Sequence, residues 1–232
     1  MTLNILIFGA TGSIGNYMYK KLREKYNVYA TTSSTGVQAN NFFHVKLENN
    51  KLIHNLLDQN IPKLDGIIWA HGKNINDSIN TISINDFNSI MECNVTFILA
   101  TLKLLIDSNL LNKNAKMCII SSIWEEFTRD NKLSYSISKA CLGNLVKNVA
   151  YDLAKENILI NNILPGPIMN EMTVQTLSKT ELDYITNYTH FNRLISLDDI
   201  FHTLHFLLVE NTGITGQSIK VDLGFTNIKK YN

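Results

Sequence analysis

The feature that most constrains the fold is an apolar run followed at once by three regularly spaced glycines. Residues 3–8 are almost all apolar, the pattern of a strand that is buried on both faces of a sheet. Gly9, Gly12 and Gly15 follow, and the next residues have the apolar spacing of a helix. In such a unit the first glycine permits a tight turn, the second lets the backbone approach a pyrophosphate, and the third allows helix and strand to pack closely. The sequence therefore predicts a dinucleotide-binding loop after its first strand.

Strand-like and helical patterns alternate along the rest of the chain. This alternation predicts an α/β fold, a Rossmann-like doubly wound parallel sheet of about seven strands with helices on both faces. No Pro/Gly/Ser-rich linker or repeat divides the sequence, so residues 1–232 are expected to form a single domain. Residues 168–193 are polar with weak periodicity, which predicts a lid over a substrate pocket. Strands are expected near 3–8, 27–32, 42–46, 64–70, 115–122, 158–164 and 218–223, and helices near 13–25, 50–59, 84–111, 134–157 and 197–209.

Composition favours an enzyme domain over several other classes. The formal net charge is +1 and Lys and Arg are scattered, so no nucleic-acid partner is expected. The 3 cysteines include no Cys-x-x-Cys pair, and the histidines have no metal-ligand spacing, so we expect neither disulfides nor a metal. The sequence has no charged leader and no run of about eighteen apolar residues, which indicates no membrane partner and a cytoplasmic location.

Tyr135 and Lys139 stand four residues apart and therefore share one face of the helix predicted over 134–157. A phenol with a pKa near ~10 is a poor acid at neutral pH, and an adjacent ammonium favours the phenolate and lowers that pKa. Ser122 follows the apolar run 117–121, so its hydroxyl is expected at a strand end, where it can hold a substrate oxygen. These three side chains predict a site for proton transfer.

Taken in order, these motifs resemble those of the short-chain dehydrogenase/reductase family along nearly the whole chain. Asn94 in Glu-Cys-Asn-Val is similar to the family's fourth catalytic residue, and Ile-Thr-Gly-Gln at 214–217 is similar to its C-terminal signature. The resemblance implies hydride transfer between a nicotinamide cofactor and a small carbonyl or alcohol substrate, with Tyr135 as general acid and base. It also implies that Ser122 orients the substrate oxygen.

The resemblance implies two further groups of contacts. Lys139 is expected to bind the nicotinamide ribose, and Asn94 to hold a water that links Lys139 to solvent. The residues expected to contact the cofactor are Gly9, Thr11, Gly12, Ser13, Ile14, Gly15, Thr32, Ser33, Ala70, Gly72, Tyr135, Lys139, Pro165, Gly166 and Ile168.

The end of the second strand is expected to choose between the two nicotinamide cofactors. Residues 30–34 read Ala-Thr-Thr-Ser-Ser and contain no acid. NAD enzymes place a carboxylate there for the ribose 2′-hydroxyl, whereas hydroxyls and backbone amides can donate to the 2′-phosphate of NADP. NADP(H) is therefore favoured, and NAD(H) stays open. Lys46, after the third strand, is either a phosphate contact or a solvated strand-end lysine.

The substrate is the least constrained part of the interpretation. Trp124 and Glu125 fall in a segment that borders the pocket in this family, and a glutamate there could accept hydrogen bonds from a sugar or polyol. His71 is expected to pack near the cofactor, with a role as catalytic base as the alternative. Two other functions stay open. One is a nucleotide-sugar or polyol-modifying enzyme that uses NAD(H), and the other is a catalytically silent regulator that senses a dinucleotide.

The two long predicted helices carry more apolar residues than one sheet-facing stripe needs. The family resemblance implies that they pair with their copies around a two-fold axis in a homodimer or homotetramer. The alternative is that the extra residues are buried within one subunit. They are Phe97, Ile98, Leu102, Leu105 and Ile106 in the first helix, and Leu142, Leu145, Val146, Val149 and Leu153 in the second.

Overall fold

A computed structural model of the protein describes residues 2–33, 41–49, 51–58, 60–168, 183, 185–187 and 191–228. Its strands are β1 (Asn4–Phe8), β2 (Asn27–Thr32), β3 (Phe42–Glu48), β4 (Lys51–His54), β5 (Leu64–Trp69), β6 (Leu111–Ile120), β7 (Leu159–Pro165) and β8 (Ser218–Val221). They form one sheet in the order β4-β3-β2-β1-β5-β6-β7-β8. All neighbouring strands pair in parallel except β3 and β4.

Helices cover both faces of the sheet. They are α1 (Ser13–Leu22), α2 (Ile84–Met91), α3 (Phe97–Asp107), α4 (Leu133–Asp152) and α5 (Leu197–His205). The apolar core on one face joins α1 and α5 to the sheet, and the core on the other face joins α3 and α4 to it. The predicted doubly wound α/β fold is therefore confirmed.

The winding of the chain reverses beside β1, and this reversal creates the cleft that holds the site. From β1 the chain proceeds to β2 and β3 on one side, then returns to β5 on the other side and continues to β8. The loops that leave the carboxyl ends of β1 and β5 therefore diverge. A crevice at such a switch point is where open α/β sheets bind their ligands.

The prediction of a helix over 50–59 is wrong, because Lys51–His54 forms the short strand β4. Asn49 adopts a positive φ of 51°, which asparagine tolerates, and this allows a tight turn that places Lys51 opposite Glu48. The antiparallel hairpin gives the sheet eight strands, where about seven were expected. A strand of four residues carries too few side chains for its period of two to be distinguished from one helical turn.

The helix that runs through α2 and α3 is long and apolar enough, by length and composition, to cross a membrane. It is also built as a core helix, because Ile98, Leu102 and Leu105 are buried in the core that α3 forms with the sheet. Core helices of water-soluble proteins commonly combine these properties.

Candidate active site

The glycine loop has the tight geometry that its spacing predicts. Gly9 follows β1 with a φ of +81°, and a Cβ there would lie 2.7 Å from the backbone nitrogen of His71. A Cβ on Gly15 would overlap the carbonyl oxygen of Gly9 and lie 2.9 Å from its carbonyl carbon. A Cβ on Gly12 would meet nothing closer than 3.6 Å. Gly9 and Gly15 therefore close the turn, while Gly12 leaves backbone exposed at the amino end of α1, where a phosphate would be stabilised.

A cavity of about 640 Å³ lies along this loop. Its lining follows the carboxyl ends of β1, β2, β5 and β6 and the exposed start of α1. The predicted site residues that line it are Gly9, Thr11, Gly12, Ser13, Ile14, Ser33, Ala70, Gly72, Tyr135 and Lys139. Other described residues from the prediction do not line it: Gly15, Thr32, Asn94, Ser122, Trp124, Glu125, Pro165, Gly166 and Ile168.

Tyr135 and Lys139 lie one turn apart on α4, and both side chains face the cavity. Lys139 is buried, its Nζ donates to the carbonyl oxygen of Ile120 over 3.1 Å, and it lies 5.7 Å from the centroid of the Tyr135 ring. Burial lowers the pKa of Lys139 to about 8. Burial also raises the pKa of Tyr135, and a hydrogen bond with Ser122 opposes the rise. Lys139 is not among the groups that shift the Tyr135 pKa in this structure, so the expected lowering of that pKa by Lys139 is not supported.

Ser122 occupies the position that its strand-end location predicts. It stands two residues beyond β6 with an extended backbone, and its Oγ accepts a hydrogen bond from the backbone nitrogen of Trp124 over 3.3 Å. The Ser122 hydroxyl is close enough to Tyr135 to act on the tyrosine pKa, so the two hydroxyls are neighbours beside the cavity that Tyr135 lines. A carbonyl oxygen placed there would meet two hydroxyl donors.

Asn94 is held by a π-helical turn, Glu92–Thr96, that joins α2 to α3. Its amide makes a closed pair of hydrogen bonds with the backbone of Lys73, accepting from the nitrogen over 2.7 Å and donating to the oxygen over 2.9 Å. A Cβ on Gly72 would lie 3.6 Å from Lys139 Nζ and 3.7 Å from Asn94 Oδ1. Gly72 therefore keeps a gap open between these two side chains, and Asn94 fixes the loop that borders the gap.

His71 lines the cavity with its ring held in place by packing. Its Nε2 donates to the carbonyl oxygen of Cys93 over 3.0 Å, and the ring meets Phe97 edge to face at 4.6 Å. Burial, with a smaller effect of Lys139, lowers the pKa of His71 to about 4, so the ring is neutral at neutral pH. These contacts support the packing role.

The end of β2 presents hydroxyl groups to the cavity. Thr31 and Ser33 line it, and the carbonyl oxygen of Ser33 accepts from His44 Nε2 over 3.2 Å. Lys46 also lines it and forms an exposed ion pair of 3.1 Å with Glu48. Ser34, the last residue of the acid-free stretch, lies outside the described residues.

The loop after β7 is described only in part. Gly166 packs tightly, since a Cβ there would lie 2.9 Å from the Asp222 Cβ, and Ile168 forms a β-bridge with Ile195. Most of the predicted lid over 168–193 lies outside the described residues.

Trp124 and Glu125, the residues predicted to contact substrate, differ in their surroundings. The Trp124 ring is partly exposed and carries the Arg129 guanidinium 5.5 Å from its centroid. The Glu125 carboxylate accepts hydrogen bonds from Ser218 and from Asn162, so it is engaged within the protein. The expected contact of Glu125 with substrate hydroxyls is therefore not supported.

Several cavity residues were not predicted from the sequence. Ser89, Glu92, Cys93 and Phe97 reach it from the helical stretch beside the loop after β5. These residues line the cavity because of the way this helix packs across the sheet, and no local sequence motif predicts that packing. Among the described residues, no three His, Cys, Asp or Glu side chains form a group that could hold a metal.

Comparison with known proteins places the chain in a family. Residues 17–226 match the family model described as enoyl-(acyl carrier protein) reductase. The chain belongs to the short-chain dehydrogenase/reductase family. The predictions of this family, of an oxidoreductase and of an NAD(P)-binding Rossmann fold are therefore confirmed.

Two curated relatives and one solved structure illustrate the similarity. The 3-oxoacyl-[acyl-carrier-protein] reductase FabG of Buchnera aphidicola is 26% identical over 94% of this chain and 95% of its own length. The glucose 1-dehydrogenase of Gluconobacter oxydans is 28% identical over 70% of this chain and 62% of its own length. A mutant 4-hydroxyisoleucine dehydrogenase solved with NADH and succinate is 25% identical, has a TM-score of 0.84, and matches over 98% of this chain and 100% of its own.

Proposed function

We propose that this protein is an NADP(H)-dependent oxidoreductase that interconverts a carbonyl group and an alcohol in a small substrate. The observation that carries the proposal is that Tyr135 and Lys139 line the same cavity as the glycine loop, with the Ser122 hydroxyl beside Tyr135. Residues 1–232 would act as one domain in the cytoplasm. The names of the relatives give 3-oxoacyl-[acyl-carrier-protein] and glucose as substrates, so the substrate of this chain needs direct testing.

The glycine loop fits a nicotinamide dinucleotide, because Gly12 and Ser13 are exposed and line the cavity at the start of α1, and a Cβ on Gly12 would meet nothing closer than 3.6 Å. Gly12, Ser13 and Ile14 would hold the pyrophosphate at the start of α1, while Lys139 would hold the nicotinamide ribose. When bound, the cofactor supplies or accepts the hydride.

The chain's own residues handle the proton and the oxygen. Tyr135 donates the proton to the carbonyl oxygen during reduction and removes it during oxidation, and Ser122 orients and polarises that oxygen through its hydroxyl. Lys139, buried beside Tyr135, favours the phenolate when the tyrosine has given up its proton. Asn94 fixes the Lys73 backbone at the edge of the gap beside Lys139, where a water can carry protons to solvent.

The preference for NADP(H) is supported by the hydroxyl groups at the end of β2. Thr31 and Ser33 line the cavity and present no carboxylate that would repel a 2′-phosphate. Lys46 is near enough to line the same cavity and carries the charge that a phosphate attracts. The related 4-hydroxyisoleucine dehydrogenase was solved with NADH, so both cofactors belong in the test.

The test is a screen of carbonyl compounds with NADPH and with NADH. The absorbance of the reduced nicotinamide reports the turnover of each compound. The panel should contain short 3-oxoacyl thioesters, 2- and 4-oxo acids, and sugars in the oxidative direction. Tyr135→Phe should reduce turnover about 10²- to 10⁴-fold, the usual contribution of a general acid, with cofactor affinity nearly unchanged. Turnover of this variant near that of the wild type would refute the assignment.

A sugar or polyol dehydrogenase that uses NAD(H) is the second candidate, and the similarity to a glucose 1-dehydrogenase favours it. Oxidation of sugars with NAD, without reduction of oxo acids or thioesters, would select this function. A silent regulator would bind the dinucleotide without turning over any member of the panel. The presence of both Tyr135 and Lys139 in the cavity argues against the regulator.

A further inference from the structure

One partly buried acid, Glu125, follows the Ser122 segment and has no part in the mechanism above. We infer that Glu125 is a positioning residue: its carboxylate keeps Lys139 protonated and anchors the turn that carries Ser122. This inference rests on the proposed carbonyl–alcohol reaction, which needs a charged Lys139 and a fixed Ser122.

The hydrogen bonds of Glu125 tie the serine turn to two strands. Glu125 ends the 3₁₀ turn Ile123–Glu125, which begins directly after Ser122. Its Oε2 accepts from Asn162 Nδ2 of β7 over 3.0 Å, and its Oε1 accepts from the Ser218 hydroxyl of β8. Because both partners belong to the sheet, the carboxylate fixes the turn relative to the strand ends that surround the site.

The same carboxylate lies against the helix that carries Tyr135 and Lys139. Gly143 stands four residues after Lys139 and eight after Tyr135, so the three positions follow one face of α4. A Cβ on Gly143 would lie only 2.6 Å from Glu125 Oε1. The carboxylate therefore occupies space that only a glycine leaves open, one helical turn beyond Lys139.

The surroundings of Lys139 make Glu125 its acidic neighbour. Burial lowers the pKa of Lys139 to about 8, and Cys93 and Glu125 oppose this effect. Burial raises the pKa of the Cys93 thiol and lowers that of His71, so both groups are neutral at neutral pH. Tyr135, whose pKa burial raises, is also neutral. Among the described groups that act on Lys139, Glu125 is thus the one that can supply a negative charge.

Glu125 has its own charged surroundings. Burial raises its pKa, while the Ser121, Ser218 and Asn162 side chains oppose the rise and adjacent Glu126 adds to it. Glu126 is exposed and pairs with Lys220 over 2.6 Å, so its charge is compensated by a surface partner. The Glu125 carboxylate is therefore stabilised by neutral side chains, and it in turn opposes the lowering of the Lys139 pKa by burial.

The direct test is a pH titration of Lys139 in the whole protein without cofactor. The titration is observed by NMR of lysine labelled with ¹³C at Cε. Loss of one signal in Lys139→Met assigns the resonance. Glu125→Gln should shift the Lys139 midpoint to lower pH by about half a unit or more, because the variant removes an opposite charge from a buried cation. Glu126→Gln removes the same charge one residue away, and it should shift the midpoint by less than about 0.2 units since that acid is exposed.

The new amide of the Glu125→Gln variant can find a hydrogen-bond partner, so this variant is expected to fold. Asn162 Oδ1 is buried without a hydrogen-bond partner, so rotation of the Asn162 amide would let this oxygen accept from the new amide. Gly143→Ala is a second variant that keeps the acid, and its methyl group should push the carboxylate from its place and shift the Lys139 midpoint in the same direction. An unchanged midpoint in a folded Glu125→Gln variant, or equal shifts in Glu125→Gln and Glu126→Gln, would overturn the inference.

Kinetics separate this inference from the proposed function. With a substrate found in the screen, the alkaline limb of kcat/KM should move to lower pH in Glu125→Gln by the same amount as the NMR midpoint, while Glu126→Gln keeps the wild-type profile. A purely structural role would lower the rate at every pH and leave the limb in place, which would contradict the inference. Absence of turnover by the wild type would count against the proposed function alone, because the NMR titration needs neither substrate nor cofactor.

Discussion

Two glycine substitutions in the same loop should separate the stability of the fold from the binding of the cofactor. A methyl group at residue 15 would overlap the Gly9 carbonyl oxygen, and its neighbours are backbone atoms that cannot turn aside. A methyl group at residue 12 would meet its nearest atom at 3.6 Å, which is ordinary van der Waals contact. We expect Gly15→Ala to lose both stability and affinity, and Gly12→Ala to lose affinity with a smaller loss of stability.

The magnitude follows from the contact. Overpacking costs about 1–3 kcal/mol, and alanine returns at most ~1 kcal/mol of helix propensity in the first turn of α1. Because a rigid carbonyl oxygen is overlapped, the net loss for Gly15→Ala should be about 2 kcal/mol, or a fall in Tm of about 4–8 °C for a chain of this size. Gly12→Ala stands at the N-cap in an extended conformation without overlap, so its loss of stability should be smaller, about 1 kcal/mol or less, which is the preference of an N-cap for glycine over alanine.

The assays are thermal unfolding by circular dichroism and titration of NADPH by the change in nicotinamide fluorescence. Both variants should bind NADPH at least about tenfold more weakly. The methyl group at residue 12 enters the space next to the exposed backbone amides, and the methyl group at residue 15 shifts the turn that presents those amides. A Tm of Gly15→Ala within about 1 °C of the wild type would refute the packing argument. Wild-type affinity in Gly12→Ala would refute the assignment of the loop to the pyrophosphate.

Three further predictions concern charge, cofactor choice and assembly. Lys139→Met should weaken NADPH binding and turnover together, and wild-type affinity should fall as the pH rises through about 8, where the buried ammonium loses its proton; an affinity that does not change with pH would contradict the role of Lys139 in binding. Thr31→Asp should narrow or reverse a preference for NADPH over NADH by about tenfold through repulsion of the 2′-phosphate, and calorimetry that finds tighter NADH binding by the wild type would refute the expected preference. Sedimentation at micromolar concentration should show a dimer or tetramer that Leu99→Asp with Ile106→Asp converts to a monomer, and a wild-type monomer with full activity would exclude the assembly as a requirement.

The assembly prediction now depends on fewer side chains than the sequence suggested. Ile98, Leu102 and Leu105, counted as surplus apolar residues, are buried in the core under the sheet. Of the predicted residues in this helix, Ile106 is 41% exposed, and Leu99, which was not among them, is 47% exposed. They lie seven residues apart, so they share one outward face of α3, which is the surface that a second copy would cover.

The sequence predicted best those parts of the site that backbone geometry controls. The glycine loop and the Tyr135–Lys139 pair are local, so their spacing alone determines which groups share a turn or a helix face. The short strand β4 was missed because four residues carry too little periodicity. The partners of Glu125 could not be predicted, because Asn162 and Ser218 lie 37 and 93 residues away and meet it only through the packing of the sheet.

The π-helical turn Glu92–Thr96 is, in geometric terms, one residue too many in a regular helix. In a regular α-helix an added residue would rotate everything beyond it by about 100°, and the wide π turn absorbs this rotation. Ile90 before the turn and Ile98 after it are both buried, although their eight-residue separation would place them about 80° apart on an uninterrupted α-helix. Removing one residue here would regularise the helix and keep the core face of α3, while the amide of Asn94 would leave its place in the turn. The local irregularity is therefore what lets one helix serve both the core and the site.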